Sequence, residues 1–266
     1  MTNVRAILYR GPSTLNGEPI VVALYTTSGN RKVGNAPSVA ILPDAPTYRE
    51  AFKAAPSVCG GCPFLGGVHA TRKKRTQGGC YSWALAMPIA AQLKAIAAGR
   101  YVEGEAAWLM VSAYMDAYMP MIVRVGTVGD SAAVPRHVWD RFRDLLPDRT
   151  EVQNYTHQWR RADAQHLRDW TMASVESTAD ASRAHAMGWR TFRAVLPDTT
   201  PEADERVCSY EADRVTCQAC RACNGRGEVD NRPSITATIH GNTATANRAR
   251  RVVAAAITRA LKRATA

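Results

Sequence analysis

The sequence predicts an α/β protein with parallel strands from the first of the following observations, and two more bear on its site. Short β-branched runs alternate with stretches of helical periodicity through the middle of the chain; polar residues able to react stand just after those runs; and the seven cysteines fall into two tight groups. The chain has 266 residues, 46% of them hydrophobic, which is enough to bury a substantial core. A disordered tail and a disulfide-stapled mini-protein are thereby excluded.

In chain order, the first 55 residues hold two β-rich runs, Ile20 to Tyr25 and Ser38 to Leu42, separated by the turn-prone Ser28-Gly29-Asn30 and readable as a hairpin or a pair of edge strands. From Val58 to Tyr81 the composition shifts to Gly, Cys and the basic run Arg72-Lys73-Lys74-Arg75 with no periodicity of either kind, the mark of a functional loop. A helix is expected over Tyr81 to Ala98. Met121 to Val125 then reads as a strand, Gly126 to Asp130 as a loop, and Val138, Trp139, Phe142, Leu145 and Leu146 as the buried face of a helix before a second strand, Val152 to Tyr155. The alternation continues with a helix around Ala162 to Trp170, a strand Met172 to Val175, a helix around Ala179 to Met187 and a strand Arg190 to Leu196. That order implies parallel strands with right-handed crossovers, in an open sheet or a barrel. After a short acidic loop and a cysteine loop running to Gly227, Ser234 to Ile239 reads as a further strand. Asn247 to Ala266 is expected to be helical, with Val253, Ile257 and Leu261 on one face and Arg248, Arg251, Arg259 and Lys262 on another. Three segments result: a β-rich 1–57, a catalytic 58–246 with both cysteine groups, and a basic helix 247–266.

The charge balance, 34 basic residues against 23 acidic for a net +11, favours an acidic partner such as nucleic acid. More than half of that excess lies in the last helix, so the charge forms local patches; a solvated face is the competing reading for both the helix and the 72–75 run. The N-terminus lacks an apolar run ending in a small-residue cleavage site, and the uncharged apolar stretches fall short of the roughly 18 to 20 residues that span a bilayer. A soluble cytoplasmic protein with no membrane partner is the expectation.

Clustered cysteines point to metal in a reducing compartment. Cys217, Cys220 and Cys223 are spaced two residues apart, with Cys208 upstream and His240 downstream as further ligands; four soft donors suit tetrahedral zinc or an iron–sulfur cluster. Cys59, Cys62 and Cys80 form a second group, with His69 between them as a possible fourth ligand, and the two groups could also meet in space and share ligands. In parallel α/β proteins reactive groups gather at the C-terminal ends of strands. Asp130, His157, Glu176 and His240 each follow a strand, although any one of them has the alternative of an N-cap or loop hydrogen bond; Asp130, for example, could cap the helix that follows because Ser131-Ala132 comes next. Tyr155, His157, Trp159, Arg160 and Arg161 could stack on and hold a nucleotide, against the plainer reading of rim packing. No P-loop, GxGxxG, HExxH or GxSxG is present, which leaves nucleotide triphosphatase, dinucleotide oxidoreductase and serine hydrolase readings without support.

The succession Cys59-Gly-Gly-Cys62-Pro, Gly79-Cys80-Tyr81, Arg124-Val-Gly-Thr-Val-Gly-Asp130-Ser-Ala-Ala-Val-Pro135, Tyr155-Thr-His157-Gln-Trp159, Met172-Ala-Ser, Gly188-Trp189-Arg190-Thr-Phe192-Arg193 and Cys217-x2-Cys220-x2-Cys223 resembles short phage proteins of the DpdA-type deazaguanine DNA transglycosylases, distant relatives of the tRNA-guanine transglycosylases. The resemblance covers about residues 58 to 241. It implies a TIM-barrel-like fold, here reduced or irregular because the chain is short for eight βα units; a zinc held by Cys217, Cys220, Cys223 and His240, with Cys208 competing for the fourth place; double-stranded DNA and a preQ0-like 7-deazaguanine base as partners; and exchange of guanine in phage DNA that protects the genome from host restriction. Asp130-Ser131-Ala132-Ala133 partially echoes the base-recognising Asp-Ser-Gly-Gly stretch of the tRNA enzymes, which makes Ser131 a substrate-binding candidate.

Such an exchange needs a carboxylate to attack C1′ as guanine leaves and a second group to handle the purine's proton. Asp130 and Glu176, assisted by His157, supply those roles, and an extruded base would stack on Tyr155 or Trp159. Two other readings stand beside this one: a radical SAM-like iron–sulfur enzyme, whose usual CxxxCxxC spacing is missing, and a metal-stabilised DNA-binding module, which leaves the βα repeats unexplained.

Overall fold

The protein is described here from a computed structural model that covers residues 3–26, 30–69, 74–75, 78–225 and 232–264. The chain opens with β1 (Arg5–Pro12), β2 (Pro19–Tyr25) and β3 (Ser38–Pro43), paired antiparallel in that order. β1 has no clean alternation in the sequence, because Arg10, Gly11 and Pro12 interrupt it. The runs expected to form a hairpin or edge strands are interior strands instead: β2 is flanked by β1 and β3, and β3 pairs on its far side with β6 (Ile122–Val125). Their side chains from Ile20 to Leu24 and from Val39 to Leu42 are fully buried, as continuous β-branched runs should be when both faces are covered.

Between β3 and β6 lie α1 (Tyr48–Lys53), α2 (Pro56–Cys59), the two-residue strands β4 (Val68–His69) and β5 (Lys74–Arg75), α3 (Tyr81–Ala84), α4 (Ala86–Ala97) and α5 (Glu105–Tyr118). The helix expected over 81–98 is two helices, broken at Leu85, whose ψ of 65° leaves the helical region. Pro88 falls in the first turn of α4, where a missing N–H costs no hydrogen bond. α5 buries Ala107, Trp108, Val111, Tyr114 and Met115, a helical stripe.

From β6 onward the βα alternation holds. α6 (Arg136–Asp144) buries Val138, Trp139 and Phe142 and leads to β7 (Glu151–Gln153) and β8 (Tyr155–Thr156); a 3-10 turn, Ala162–Leu167, precedes β9 (Met172–Val175), α7 (Thr178–Ala186) and β10 (Thr191–Val195). β11 (Glu205–Val207), in the stretch read as an acidic loop, is followed by α8 (Ser209–Asp213), α9 (Cys217–Cys220), β12 (Ser234–Thr238) and α10 (Thr243–Ala264). Two five-stranded sheets result, ordered β1-β2-β3-β6-β7 and β11-β12-β10-β9-β8, and every pairing from β3 onward within them is parallel.

Asn154 alone separates β7 from β8, so the chain steps from one sheet into the other in a single residue. Its buried side chain donates to Ser131 Oγ at 3.0 Å and Thr171 Oγ1 at 2.8 Å, pinning the junction. The class is α/β with two parallel-rich sheets, and the described ladders show no closed barrel. One apolar cluster runs through β1–β3, the helices between β3 and β6, α6 and β9, and holds the fully buried Trp83, Trp139, Trp159 and Trp189. Among the described residues no helix is long and apolar enough to cross a membrane.

α10 begins four residues before the expected start and buries small residues, Ala246, Ala249 and Ala256, together with Val253. Ile257 and Leu261, expected on its buried face, are 38% and 64% exposed.

Candidate functional site

The strand ends bring Asp130, His157 and Glu176 together, in two different roles. After β6 the chain turns through Gly126 and Gly129, at φ of 70° and 80°, and at Gly129 a side chain has no room because its Cβ would lie 2.8 Å from that of Ile41. The turn buries Asp130 and engages both its oxygens: Oδ1 accepts from Ala132 N at 3.0 Å and Thr156 Oγ1 at 2.7 Å, and Oδ2 accepts from His157 N at 2.8 Å. Asp130 therefore caps the 3-10 turn Ser131–Ala133 and braces the segment after β8. Burial raises its pKa despite those three donors and the nearby His157.

His157, held in place by that brace, pairs through Nε2 with Glu176 Oε1 at 2.8 Å. Glu176 directly follows β9 and is 8% exposed. The Phe64 ring meets the imidazole edge-on, 5.7 Å between centroids. Burial works against a charged His157, but the neighbouring Cys62 sulfur and the Glu176 carboxylate outweigh it and hold the imidazole well above its ordinary pKa.

The first cysteine group lies on this same site, a placement the sequence could not give. Cys59 closes α2 and is buried, taking a hydrogen bond on sulfur from Trp83 Nε1 at 3.3 Å. Gln158 Nε2 donates to the Cys59 carbonyl at 3.0 Å, and the same side chain packs where a Cβ on Gly60 would sit. Cys80 N donates to Phe64 O at 2.9 Å. Burial and the neighbouring Cys62 push the Cys80 thiol up to about 11, and burial with Cys62 and Cys80 raises Cys59 well above the thiol norm. The side chain of His69 lies outside what is described.

The second group is separate. Cys208, Cys217, Cys220 and Cys223 line one cavity together with Gln153, Tyr210 and Ile235. Its walls include Ile122 and Glu151, where β6 and β7 begin, so it lies toward the opposite ends of the strands and the two groups share no ligands. Gln153 Nε2 reaches Tyr155 Oη at 3.0 Å and Cys217 Sγ at 3.5 Å, and Cys220 Sγ donates to Ser209 Oγ at 3.2 Å. Burial, with Cys208, Cys217 and Cys220 alongside, raises Cys223 to about 11. His240 takes no part in this cavity; it packs edge-on against Tyr81, next to the first group. All seven cysteines are free thiols, and among the described residues no group of three or more His, Cys, Asp or Glu side chains stands in a geometry that would hold a metal ion.

The residues expected to hold the base lie elsewhere than at an open rim. Trp159 is 1% exposed, its Nε1 donating to Ser174 O at 3.2 Å and its ring covered by the Arg160 guanidinium at 3.9 Å. Tyr155 packs 4.6 Å from the Phe192 ring and accepts from Gln153, which lines the second cavity, and Ser131 is fully buried. On α10, Arg248 Nε donates to Gly78 O at 2.9 Å, while Arg251, Arg259 and Lys262 face outward. Arg72 and Lys73 lie outside the described residues, and Lys74 and Arg75 form the short β5. Phe64, Tyr81, Thr156 and Gln158 stand at the site although none was assigned a role; Tyr81, Thr156 and Gln158 lie within motifs quoted above, and Phe64 carries no sequence signal. No family model matches the chain, and no curated protein or solved structure matches it.

Proposed function

We propose that the protein exchanges guanine in phage DNA for a 7-deazaguanine base of the preQ0 kind, on a reduced, irregular TIM-barrel-like framework made of the parallel strands β3, β6, β7/β8, β9, β10 and β12. The observation that carries this reading is the His157–Glu176 pair at 2.8 Å, set at the C-terminal ends of β8 and β9 beside a basic helix.

Glu176 is the attacking carboxylate in this reading. His157 fixes Oε1, which leaves Oε2 to bond to C1′ as the C1′–N9 bond to guanine breaks. The imidazolium of His157 gives its proton to the departing guanine. The incoming base then displaces Glu176 from C1′ through its own N9, whose proton returns to His157. Asp130, with both oxygens occupied, positions His157 and does not attack. The thiols Cys208, Cys217, Cys220 and Cys223 supply a soft donor set suited to zinc, which would tie the start of α8 to α9 and the segment after it and take no part in these steps.

The test is incubation of the protein with double-stranded DNA and labelled preQ0. Incorporation is expected in the unaltered protein and at least 100-fold less in Glu176→Gln; equal incorporation by both refutes the assignment. A second reading, a radical SAM-like iron–sulfur enzyme, draws on the convergence of Cys59, Cys62 and Cys80 beside His157. Metal analysis of anaerobically purified protein separates the two: zinc in colourless protein supports the first, and iron with sulfide in brown protein supports the second.

A further inference from the structure

Beside the site the Tyr81 ring stands open, 49% exposed. It follows Cys80, whose amide is bonded to the Phe64 carbonyl, and the Phe64 ring lies on His157; Tyr81 is therefore fixed to the rim of the His157–Glu176 site by two short links. Its ring is held against the end of β12, 5.9 Å from the His240 imidazole, and its Cδ2 lies 3.6 Å from where a Cβ on Gly241 would stand. The same loop is clamped by the basic helix: Arg248 donates to Gly78 O, and Gly79 packs so closely that a Cβ there would come within 2.5 Å of Ala249 Cα.

An exposed aromatic face, an imidazole beside it and an outward row of guanidinium and ammonium groups on the adjoining helix together match one kind of occupant, a nucleic-acid strand with an accessible base. Every base offers a π-face, and cationic side chains follow the phosphates. The reacting nucleotide has to reach deeper, to His157 and Glu176, whose side chains are only 18% and 10% exposed. We propose that Tyr81, backed by His240, is a stacking platform for an unpaired base next to the reacting nucleotide, with α10 carrying the adjoining phosphates. The proposal rests on the reading of DNA as substrate, and it assigns Tyr81 the contact that the buried Trp159 cannot make.

The test uses full-length protein and a duplex containing a short unpaired stretch with 2-aminopurine, whose emission falls when it stacks. Binding should quench the emission in the unaltered protein. Tyr81→Ala should abolish the quenching and weaken binding roughly 5- to 150-fold, with the salt dependence unchanged because the phosphate contacts remain; Tyr81→Phe should keep both. Unchanged emission on binding, no binding to this duplex, or a Tyr81→Ala protein that quenches like the parent would overturn the platform. Quenching in the parent needs no variant, so a poorly folding Tyr81→Ala leaves the test intact. Quenching without base exchange keeps the platform and removes the exchange reading; exchange without quenching does the reverse.

Discussion

Asp130→Asn separates a brace from a nucleophile. The substitution preserves shape and keeps one oxygen to accept from Ala132 N and Thr156 Oγ1, but it turns an NH2 group toward the His157 amide that Oδ2 now accepts at 2.8 Å. One charge-assisted hydrogen bond is lost, worth about 1.5–3 kcal/mol, and a buried N–H is left facing a donor, a further 1–3 kcal/mol or so. Relief of the buried charge offsets part of this, so the expected loss at pH 7 is roughly 2–4 kcal/mol. For a chain of this length that lowers Tm by about 5–15 °C. The pH dependence has a definite sign. Because burial raises the folded pKa of Asp130, the folded state keeps this proton after the unfolded state has released it, and the Asp130 contribution declines as pH rises from the ordinary carboxylate value of about 3.9 through the raised one. The stability gap between parent and Asp130→Asn should therefore be widest near pH 4 and narrow toward pH 7. Urea unfolding followed by tryptophan fluorescence at several pH values measures both quantities. A variant as stable as the parent but devoid of exchange activity would mean that Asp130 reacts and does not brace, and would refute the assignment of roles.

Two further outcomes are expected. The buried Arg193–Glu205 pair holds Nε to Oε1 at 2.7 Å with a second guanidinium bond to Oε2, and Glu205→Gln, which leaves the guanidinium charge unpaired, should cost about 3–5 kcal/mol at pH 7. Burial pulls the Glu205 pKa up, but Arg193 and the Glu202 amide outweigh it and depress the folded value, so the pair's contribution is complete above the unfolded pKa of about 4.3 and is lost as pH falls through the folded one; the parent's urea midpoint should drop more steeply than that of Glu205→Gln in this acid window. Gly79→Ala meets the backbone of α10 at Ala249, which cannot rotate away as a side chain would, so it should destabilise by about 1–3 kcal/mol and weaken DNA binding by shifting the helix, as measured by thermal unfolding and fluorescence anisotropy. Unchanged stability and affinity in Gly79→Ala would show that α10 is not seated on this loop.

What the sequence made legible follows from which signals are local. β6, α6, β9, α7 and β10 stand within a residue or two of their expected positions, because each has one clear period, two for strands or 3.6 for helices. β1 was missed because Arg10, Gly11 and Pro12 break its alternation, and β11 because three residues in an acidic stretch show no hydrophobic run at all. β11 exists through its partner: Glu205 is buried by Arg193 of β10, an ion pair across the sheet that no periodicity reports. The strand-end rule located Asp130, His157 and Glu176, since it depends only on where strands stop. It could not rank them, because the three donors that engage Asp130 include Thr156 and His157, far along the chain. Nor does the local sequence report how open an aromatic ring stands. Trp159 and Tyr81 are both rings beside a candidate residue, and only tertiary packing buries the first and leaves the second open.

The short segment Gln153 to Thr156 explains how two thiol groups at opposite ends of the strands can belong to one device. Gln153 lines the second cavity and reaches Cys217, and Tyr155 on the same side packs on Phe192. Thr156 faces the other way, to Asp130, and so to His157. Between them Asn154 takes the Cys223 carbonyl on its amide at 3.4 Å and ties its side chain to Ser131, beside Asp130, and to Thr171, where β9 begins. Strand alternation makes this possible, since successive side chains point to opposite sides. The consequence is that the cysteine loop around Cys217 to Cys223 sets the position of the segment from which the Asp130 brace takes its donors. The loop around Cys217 to Cys223 is thereby linked, through Asn154 and Thr156, to the segment that carries His157.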